Sequence, residues 1–212
     1  MRKSILVCGG AGYIGSHVVR ELVHSGHHVV IVDNLSTGHI ESIAQGVDFI
    51  RASIGDRVAL DSVFGRYNIQ TVVHLCANAY VGESMANPLT YYSNNVGNGL
   101  SLLGAMIAHD VKNIVFSSSC TVYGIPERIP IDEECRIAPI SPYGHTKAMF
   151  EQIMSDFGRA YGIKYCALRY FNAAGASSSG YIGEDHDPER FSGFVRLHNI
   201  AQHRLVVSPS SW

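Results

Sequence analysis

The stretch GGAGYIG, residues 9–15, decides the fold, because it links a short apolar run at residues 4–7 to a helical pattern at residues 15–25. Its glycines follow the spacing GxxGxxG. Glycine allows a tight turn and lets a diphosphate approach the backbone, and the last glycine lets the helix pack closely on the strand. The N–H groups at the start of the helix, together with the helix dipole, favour an anion. Taken alone, the loop is also compatible with an ordinary strand–helix turn, so its meaning depends on the rest of the chain.

Strand and helix patterns alternate on the far side of this loop. Apolar or β-branched runs predict strands at residues 28–32, 71–75, 113–116 and 164–168, and helical spacing predicts helices at residues 60–67, 91–109 and 143–161. The runs are continuously apolar, which indicates strands that are covered on both faces, as in a parallel sheet. We therefore predict an α/β fold with a doubly wound parallel sheet of the Rossmann type. Ligands of such sheets bind beyond the carboxyl ends of the strands.

The composition favours a globular protein with a buried core. Of the 212 residues, 46% are hydrophobic and 16% are charged, and the net charge of -2 does not suggest a nucleic-acid partner. The apolar run near the start is about four residues long, below the roughly 7–15 residues of a secretory signal. No stretch approaches the roughly 18 apolar residues of a membrane span. Five scattered cysteines without a CxxC pair indicate reduced thiols, so we predict a cytoplasmic protein.

An acidic residue, Asp33, ends the second predicted strand, 18 residues after Gly15. A carboxylate at this place can accept hydrogen bonds from an adenosine ribose, and it repels a 2′-phosphate. Its neighbours Asn34, Leu35 and Ser36 include no arginine that would bind such a phosphate. The loop and the acid together predict a site for NAD rather than NADP. Alone, Asp33 would also suit a turn or a helix cap.

A tyrosine, a lysine and a serine form the candidate catalytic set. Tyr143 and Lys147 are four residues apart, so they share one face of the predicted helix. An ammonium near a phenol stabilises the tyrosinate, which makes Tyr143 a candidate general base. Ser119 follows the predicted strand 113–116 on the ligand side of the sheet, where its hydroxyl can meet a substrate hydroxyl. Such spacings also arise by chance, and serine is common in turns.

Six segments in order carry a resemblance to a known family. They are GGAGYIGS at 9–16, HLCANAYVGES at 74–84, NNV at 94–96, SSSCTVYG at 117–124, SPYGHTK at 141–147 and LRYFNAAGA at 168–176. Together they closely resemble the UDP-glucose 4-epimerases of the extended short-chain dehydrogenase/reductase family. The resemblance covers residues 3–189, which is most of the chain.

The resemblance implies the chemistry of that family. A tyrosinate takes the proton of the sugar 4-hydroxyl, hydride passes from C4 to NAD, and it returns to the other face of the 4-keto sugar, which interconverts UDP-glucose and UDP-galactose in galactose metabolism. Tyr143 would be the base, Lys147 its electrostatic partner and a ligand of the nicotinamide ribose, and Ser119 the hydrogen-bonding serine. Asn172 would contact the UDP-sugar together with Ser119 and Tyr143.

The implied cofactor-binding residues extend along the whole edge of the sheet. They are Gly9, Gly12, Tyr13, Ile14, Gly15, Asp33, Asn34, Leu35, Ser36, Thr37, Gly38, Ser53, Ile54, Leu75, Cys76, Ala77, Asn78, Ala79, Asn94, Ser119, Tyr143, Lys147 and Phe171. Three positions depart from the family. Ser53 stands where the family often has an aspartate near the adenine, Ala79 where some members have a lysine near the diphosphate, and Cys120 where alanine is frequent.

The last part of the chain departs most. Residues 190–212 contain three arginines and none of the 18 acidic residues. We expect residues 1–171 to form an NAD-binding Rossmann domain and residues 172–212 to begin a truncated, divergent sugar-nucleotide-binding region. An altered or out-of-frame terminus would explain the shift in composition, and a divergent tail is the alternative; the gene sequence around codon 190 distinguishes them. We also expect weak or absent epimerase activity from this chain, with dinucleotide binding retained.

Several alternatives remain at this point. Sugar-nucleotide 4,6-dehydratases carry Asp and Glu just after the active-site Ser or Thr, where this chain has Cys120 and Thr121, so dehydration is disfavoured. An NAD-binding protein without turnover and a 4-epimerase of another UDP-sugar stay open.

The family resemblance implies a homodimer through the helices at 91–109 and 143–161. No metal site is predicted, because His186 among its acidic neighbours fits a solvated loop and no zinc-ligand spacing occurs.

Overall fold

The computed structural model describes residues 2–177, 180 and 182–184. Its strands are β1 (Lys3–Cys8), β2 (His28–Asp33), β3 (Asp48–Arg51), β4 (Asn68–His74), β5 (Asn113–Ser119) and β6 (Lys164–Tyr170). All six pair in parallel in one sheet, in the order β3-β2-β1-β4-β5-β6. The chain moves outward from β1 to β3 and then crosses to the other side of β1. This order is that of the Rossmann fold, and it confirms the predicted fold class.

Helices cover the sheet between the strands. They are α1 (Tyr13–His24), α2 (Arg57–Arg66), α3 (Val81–Ala86), α4 (Pro88–Tyr91), α5 (Asn98–Ala108) and α6 (Pro142–Tyr161), with a π-helical segment, Tyr92–Gly97, between α4 and α5. Short 3₁₀ turns occur at Ile40–Ser42 and Cys120–Tyr123. The side chain of Asp56 caps α2, and that of Ser141 caps α6 by accepting a hydrogen bond from the N–H of Gly144 at 3.1 Å. Gly162, at φ 72°, ends α6.

The sheet is buried on both faces, as its apolar strands require. Leu6 and Val30 belong to a core cluster with side chains of α2, α5 and α6. Val7 and Ile31, the next residues along the same strands, belong to a second cluster with Val19 of α1. Successive side chains of a strand point to opposite faces, so each strand contributes to both clusters. Burying one such aliphatic side chain stabilises the fold by about 1.5–3 kcal/mol.

The structure corrects the sequence prediction at four points. β3 was not predicted, because it is four residues long, lies at the sheet edge and is only half buried. The short helix α3 was also missed. β5 does not end at residue 116 but continues through Ser117–Ser119, which pair with Leu168–Tyr170 of β6. The helix predicted at residues 91–109 is interrupted by the π-helical segment.

The predictions about the last part of the chain are untested. Residues 185–212 lie outside the described residues, and with them His186 and the segment 190–212 whose altered composition was noted above. The boundary at residue 171 stays a prediction, and β6 ends one residue before it, at Tyr170. In the part of the chain that the structure describes, no helix has the length and apolar character needed to span a membrane.

Candidate active site

A cleft of about 530 Å³ opens at the carboxyl ends of the strands. It lies at the point where the strand order reverses between β1 and β4, which is where open α/β sheets bind ligands. Every residue that the sequence assigned to the cofactor or substrate lines this cleft, except Leu35 and Gly38. These two lie next to it: the N–H of Leu35 is bonded to Asp33, and Gly38 packs on Ala11. Further lining residues that the sequence did not single out include Tyr80, Tyr170 and Glu184.

The glycine loop is packed too closely to accept side chains. A Cβ on Gly9 would lie 2.7 Å from the backbone nitrogen of Cys76, and Gly9 has φ 86°. A Cβ on Gly15 would lie 1.9 Å from the carbonyl oxygen of Gly9. Gly12 precedes α1 without a side chain to cap it, so the N–H groups that open the helix have no helical acceptor. Tyr13 and Ile14 line the cleft there, and these residues fit a bound diphosphate.

Asp33 holds the loop in place. One carboxylate oxygen accepts a hydrogen bond from the N–H of Ala11 at 3.0 Å, and the other accepts one from the N–H of Leu35 at 2.8 Å. Asp33 therefore has the structural role in a turn that its sequence position also allowed. Each carboxylate oxygen can accept a second hydrogen bond, and Asp33 also lines the cleft, so the same side chain can receive a ribose hydroxyl.

Helix α6 brings Tyr143 and Lys147 to the cleft. The ammonium nitrogen of Lys147 lies 5.7 Å from the centre of the Tyr143 ring and 4.8 Å from that of Phe116. It donates a hydrogen bond to the carbonyl oxygen of Ser117 on β5 at 2.6 Å. Lys147 is only 3% exposed. One of its three N–H bonds is thus fixed to the sheet, and the other two remain available to a ligand in the cleft.

Burial governs the charge of this lysine. Burial lowers the pKa of Lys147 to about 8, while the thiolate form of Cys76 and the carboxylate of Glu151 would each raise it. Burial also raises the pKa of Cys76 to about 12, so its thiol is neutral near pH 7. Glu151, one helical turn after Lys147, is therefore the anion that supports the ammonium near neutral pH.

Ser119 presents a hydroxyl at the end of β5. Its Oγ accepts hydrogen bonds from the N–H of Thr121 at 3.2 Å and from the hydroxyl of Thr121 at 3.0 Å. The hydroxyl hydrogen of Ser119 can therefore be donated into the cleft that this residue lines. The pairing of Ser119 with Tyr170 in the sheet fixes its backbone.

A buried ionic network below the cleft was missed by the sequence analysis. Arg169 donates two hydrogen bonds to the carboxylate of Glu151, at 2.7 and 3.1 Å, and one to the hydroxyl of Tyr123 at 2.7 Å. Ser118 also donates to Glu151. Burial alone would lower the pKa of Arg169, but the bonds to Glu151 and Tyr123 raise it. Residues 143, 147 and 151 are four apart and share one helix face, so the sequence could have indicated that Glu151 lies near Lys147.

The cleft is more open at the segment that follows β6. Phe171 is 49% exposed, and Asn172 is exposed as well. The hydroxyl of Tyr13 donates a hydrogen bond to the carbonyl oxygen of Gly175 at 2.6 Å, which ties the segment after β6 to the glycine loop. Among the described residues, no group of three or more His, Cys, Asp or Glu side chains is arranged to hold a metal ion.

The comparison with protein families identifies the chain. It belongs to the NAD dependent epimerase/dehydratase family, whose model matches residues 5–204. The resemblance noted from the six sequence segments is thereby confirmed.

Curated relatives and solved structures point to one group within the family. The chain is 51% identical to the UDP-glucose 4-epimerase of Lactobacillus helveticus over 185 residues, which is 87% of this chain and 56% of that protein. The Halalkalibacterium halodurans UDP-glucose 4-epimerase is 49% identical over 88% of this chain and 55% of its own length. The Brucella ovis UDP-glucose 4-epimerase, solved in complex with NAD, superposes with a TM-score of 0.86 at 46% identity, over 89% of this chain and 57% of that one.

The chain thus spans little more than half the length of these relatives. The structure from Bifidobacterium longum, solved with NAD⁺ and UDP, shows the same relation: its TM-score is 0.84 at 39% identity, and 57% of its length is covered.

Proposed function

We propose that this chain binds NAD in the cleft and belongs to an enzyme that interconverts UDP-glucose and UDP-galactose by oxidation and re-reduction at C4. One observation carries the proposal: the glycine loop, Asp33 and the set Tyr143, Lys147 and Ser119 line the same cleft. The names of the relatives and the NAD in the Brucella ovis structure support the choice of cofactor and of sugar nucleotide.

Each residue of the set has a role that its surroundings support. Tyr143 acts as a tyrosinate, which the ammonium of Lys147 stabilises, and it becomes a neutral phenol when it takes the proton of the sugar 4-hydroxyl. Ser119 donates its hydroxyl hydrogen to a sugar oxygen. NAD, when bound, supplies the site that accepts and returns the hydride. The N–H groups at the start of α1 would hold its diphosphate, and Asp33 its adenosine ribose.

Activity of the purified chain tests the proposal. The chain is incubated with NAD and UDP-galactose, and UDP-glucose is measured by chromatography. We expect Tyr143→Phe to lower the rate by about 100-fold or more, because general base catalysis contributes about 10²–10⁴. Tyr161→Phe serves as the matched control, because Tyr161 is on the same helix but is 49% exposed and outside the cleft lining. Equal and measurable rates for Tyr143→Phe and the unchanged chain would refute the assigned base.

A second candidate is NAD binding without turnover. The exposure of Asn172, which the resemblance assigns to the UDP-sugar, favours this candidate. Retained NAD without conversion of UDP-galactose would support this candidate. Conversion of a different UDP-sugar in the same assay would instead identify the chain as part of a 4-epimerase of that sugar.

We also propose a second copy of the chain as a partner. Leu100 on α5 is 41% exposed and Met149 on α6 is 45% exposed, on the two helices that the family resemblance associates with dimers. We expect a dimer by light scattering, and a monomer for the variant carrying both Leu100→Glu and Met149→Glu. Val58→Glu is the control, because Val58 is 81% exposed on α2. A chain that is monomeric before substitution would contradict this part of the proposal.

A reducing, cytoplasmic location fits the thiols. All five cysteines are unpaired: Cys8, Cys76, Cys120, Cys135 and Cys166. Free thiols persist in the cytosol, where disulfides are rare. Fractionation of cells that express the chain with a tag would test the location.

A further inference from the structure

Asn95 lies in the π-helical segment Tyr92–Gly97 and is almost completely buried, at 5% exposure. Its side-chain oxygen accepts hydrogen bonds from the N–H of Asn78 at 2.8 Å and from the side-chain nitrogen of Asn94 at 3.0 Å. Its side-chain nitrogen donates to the carbonyl oxygen of Asn78 at 2.9 Å and to the hydroxyl of Thr146 at 3.1 Å. A carboxamide has two N–H donors and two oxygen lone pairs, so Asn95 is fully satisfied.

Thr146 continues this chain of hydrogen bonds into α6. Its side chain is completely buried, and its hydroxyl, which accepts from Asn95, donates to the carbonyl oxygen of Tyr143 at 2.7 Å. An unbroken series of hydrogen bonds thus runs from the backbone of Asn78, through Asn95 and Thr146, to the backbone of Tyr143. Each of the two side chains makes bonds that no apolar residue of the same shape could replace.

The two ends of this series both line the cleft. Asn78 belongs to the segment 75–79 after β4, and all five of its residues line the cleft. Tyr143 is the general base of the proposed reaction. The π-helical segment carries Asn95 between them, and single π-helical turns within α-helices are frequent at functional sites.

We propose that Asn95 and Thr146 are positioning residues that set the distance between the cofactor-lining segment 75–79 and Tyr143. The proposal rests on the proposed NAD site, because the distance matters only if the segment carries a ligand. Neither residue touches the reacting atoms. They act by holding the two backbones in a fixed relation, and a displacement of about 1 Å in such a site can reduce a rate about 100-fold.

We call the series of hydrogen bonds from Asn78 through Asn95 and Thr146 to Tyr143 the bridge. Four variants of the full chain test it. Thr146→Val removes the hydroxyl at nearly unchanged shape, and Asn95→Asp removes both donated bonds. Thr146→Ser keeps the hydroxyl and serves as the conservative rescue. Met154→Ala on α6 is the stability control, because Met154 is fully buried and lies outside the cleft lining. The readouts are the dissociation constant for NADH, by fluorescence, and the exchange rate of the Asn78 amide proton, by NMR.

We expect Thr146→Val and Asn95→Asp to weaken NADH binding about tenfold, because each leaves buried polar groups unpaired. The Asn78 amide should exchange about tenfold faster in Thr146→Val, although residue 146 does not touch it. Thr146→Ser and Met154→Ala should keep both values near those of the unchanged chain, even where Met154→Ala lowers the melting temperature.

Two results would overturn the bridge: unchanged values in Thr146→Val, or losses in Met154→Ala that match those in the bridge variants. A chain that binds no NADH at all would instead refute the proposed function. In that case the amide exchange at Asn78 still decides the bridge, because it needs no ligand.

Discussion

The ammonium of Lys147 is buried, with only 3% of the residue exposed. It lies between Tyr143 and β5, and burial lowers its pKa from 10.5 to about 8. The folded chain therefore binds fewer protons than the unfolded chain between these two values. The stability that the lysine contributes is fully present above about pH 10.5 and is lost as the pH falls through about 8.

This shift predicts the behaviour of Lys147→Met. Without NAD, the variant should be at least as stable as the unchanged chain near pH 7, because it removes a buried charge. Its advantage should shrink by about 1.4 kcal/mol per pH unit as the pH rises from about 8 to 10.5. Urea denaturation of both proteins across this range measures the difference. A difference that does not vary with pH would show that the lysine is solvated.

Among single residues, the roles given to the candidate catalytic set stay predictions, and the structure shows only where these residues lie. The resemblance named Tyr143, Lys147 and Ser119 by motif, and all three line the cleft. Asn95 could not be assigned a role, because its partners Asn78 and Thr146 are 17 and 51 residues away and only the folded chain brings them together. Arg169 was missed for the same reason, since its partner Glu151 is on a different element.

At the element scale, the ion pair between Glu151 and Arg169 fastens α6 to β6. Their side chains are 11% and 5% exposed. Glu151→Gln would leave the guanidinium of Arg169 buried without an anion, and we expect it to lower the free energy of unfolding by about 3 kcal/mol.

The double variant with Arg169→Met should regain much of that loss, because no uncompensated charge remains. Urea denaturation of the single and double variants provides the measurement. Losses that simply add would indicate that the two side chains are not coupled in solution.

The elements that the sequence predicted are those with strong local patterns. β1, β2, β4 and β6 are apolar runs bounded by turns, and each was placed within a few residues. β3 is short and half buried, so its sequence, DFIR, carries little pattern. The serines that end β5 have no strong strand preference, and the ladder to β6 keeps them extended. The π-helical segment keeps the helical period closely enough that the pattern did not mark it.

At the scale of the whole molecule, the core predicts sensitivity to acid. His74 at the end of β4 is buried between Phe116 and Phe150, with ring centres 5.5 and 5.4 Å away. Burial, and then the charge of Lys147, lower the pKa of His74 to about 3. The folded chain therefore keeps this ring neutral, while the unfolded chain binds a proton below about pH 6.5.

Because of His74 alone, the free energy of unfolding should fall by about 1.4 kcal/mol per pH unit as the pH drops from about 6.5 toward 3. His74→Gln should be less stable near neutral pH, because it disturbs the aromatic packing, but its stability should fall less steeply with acid. Denaturation curves at several pH values compare the two slopes. Equal slopes would mean that His74 is protonated in the folded chain.

The molecule as a whole follows the architecture that the glycine loop and the apolar strands predict. The cleft at the reversal of strand order follows from that architecture, and its lining follows from the motifs. The hydrogen bonds of Asn95 and Thr146 follow neither from the architecture nor from the motifs, because they depend on contacts between side chains that are distant in the sequence.

Titration of the purified chain with NADH, compared with NADPH, tests the central claim most directly. The glycine loop, the open start of α1 and the carboxylate of Asp33 predict saturable binding of one NADH per chain. They also predict at least about tenfold weaker binding of NADPH, because Asp33 repels a 2′-phosphate. Absence of NADH binding, or equal affinity for both dinucleotides, would show that the cleft is not an NAD site of this kind.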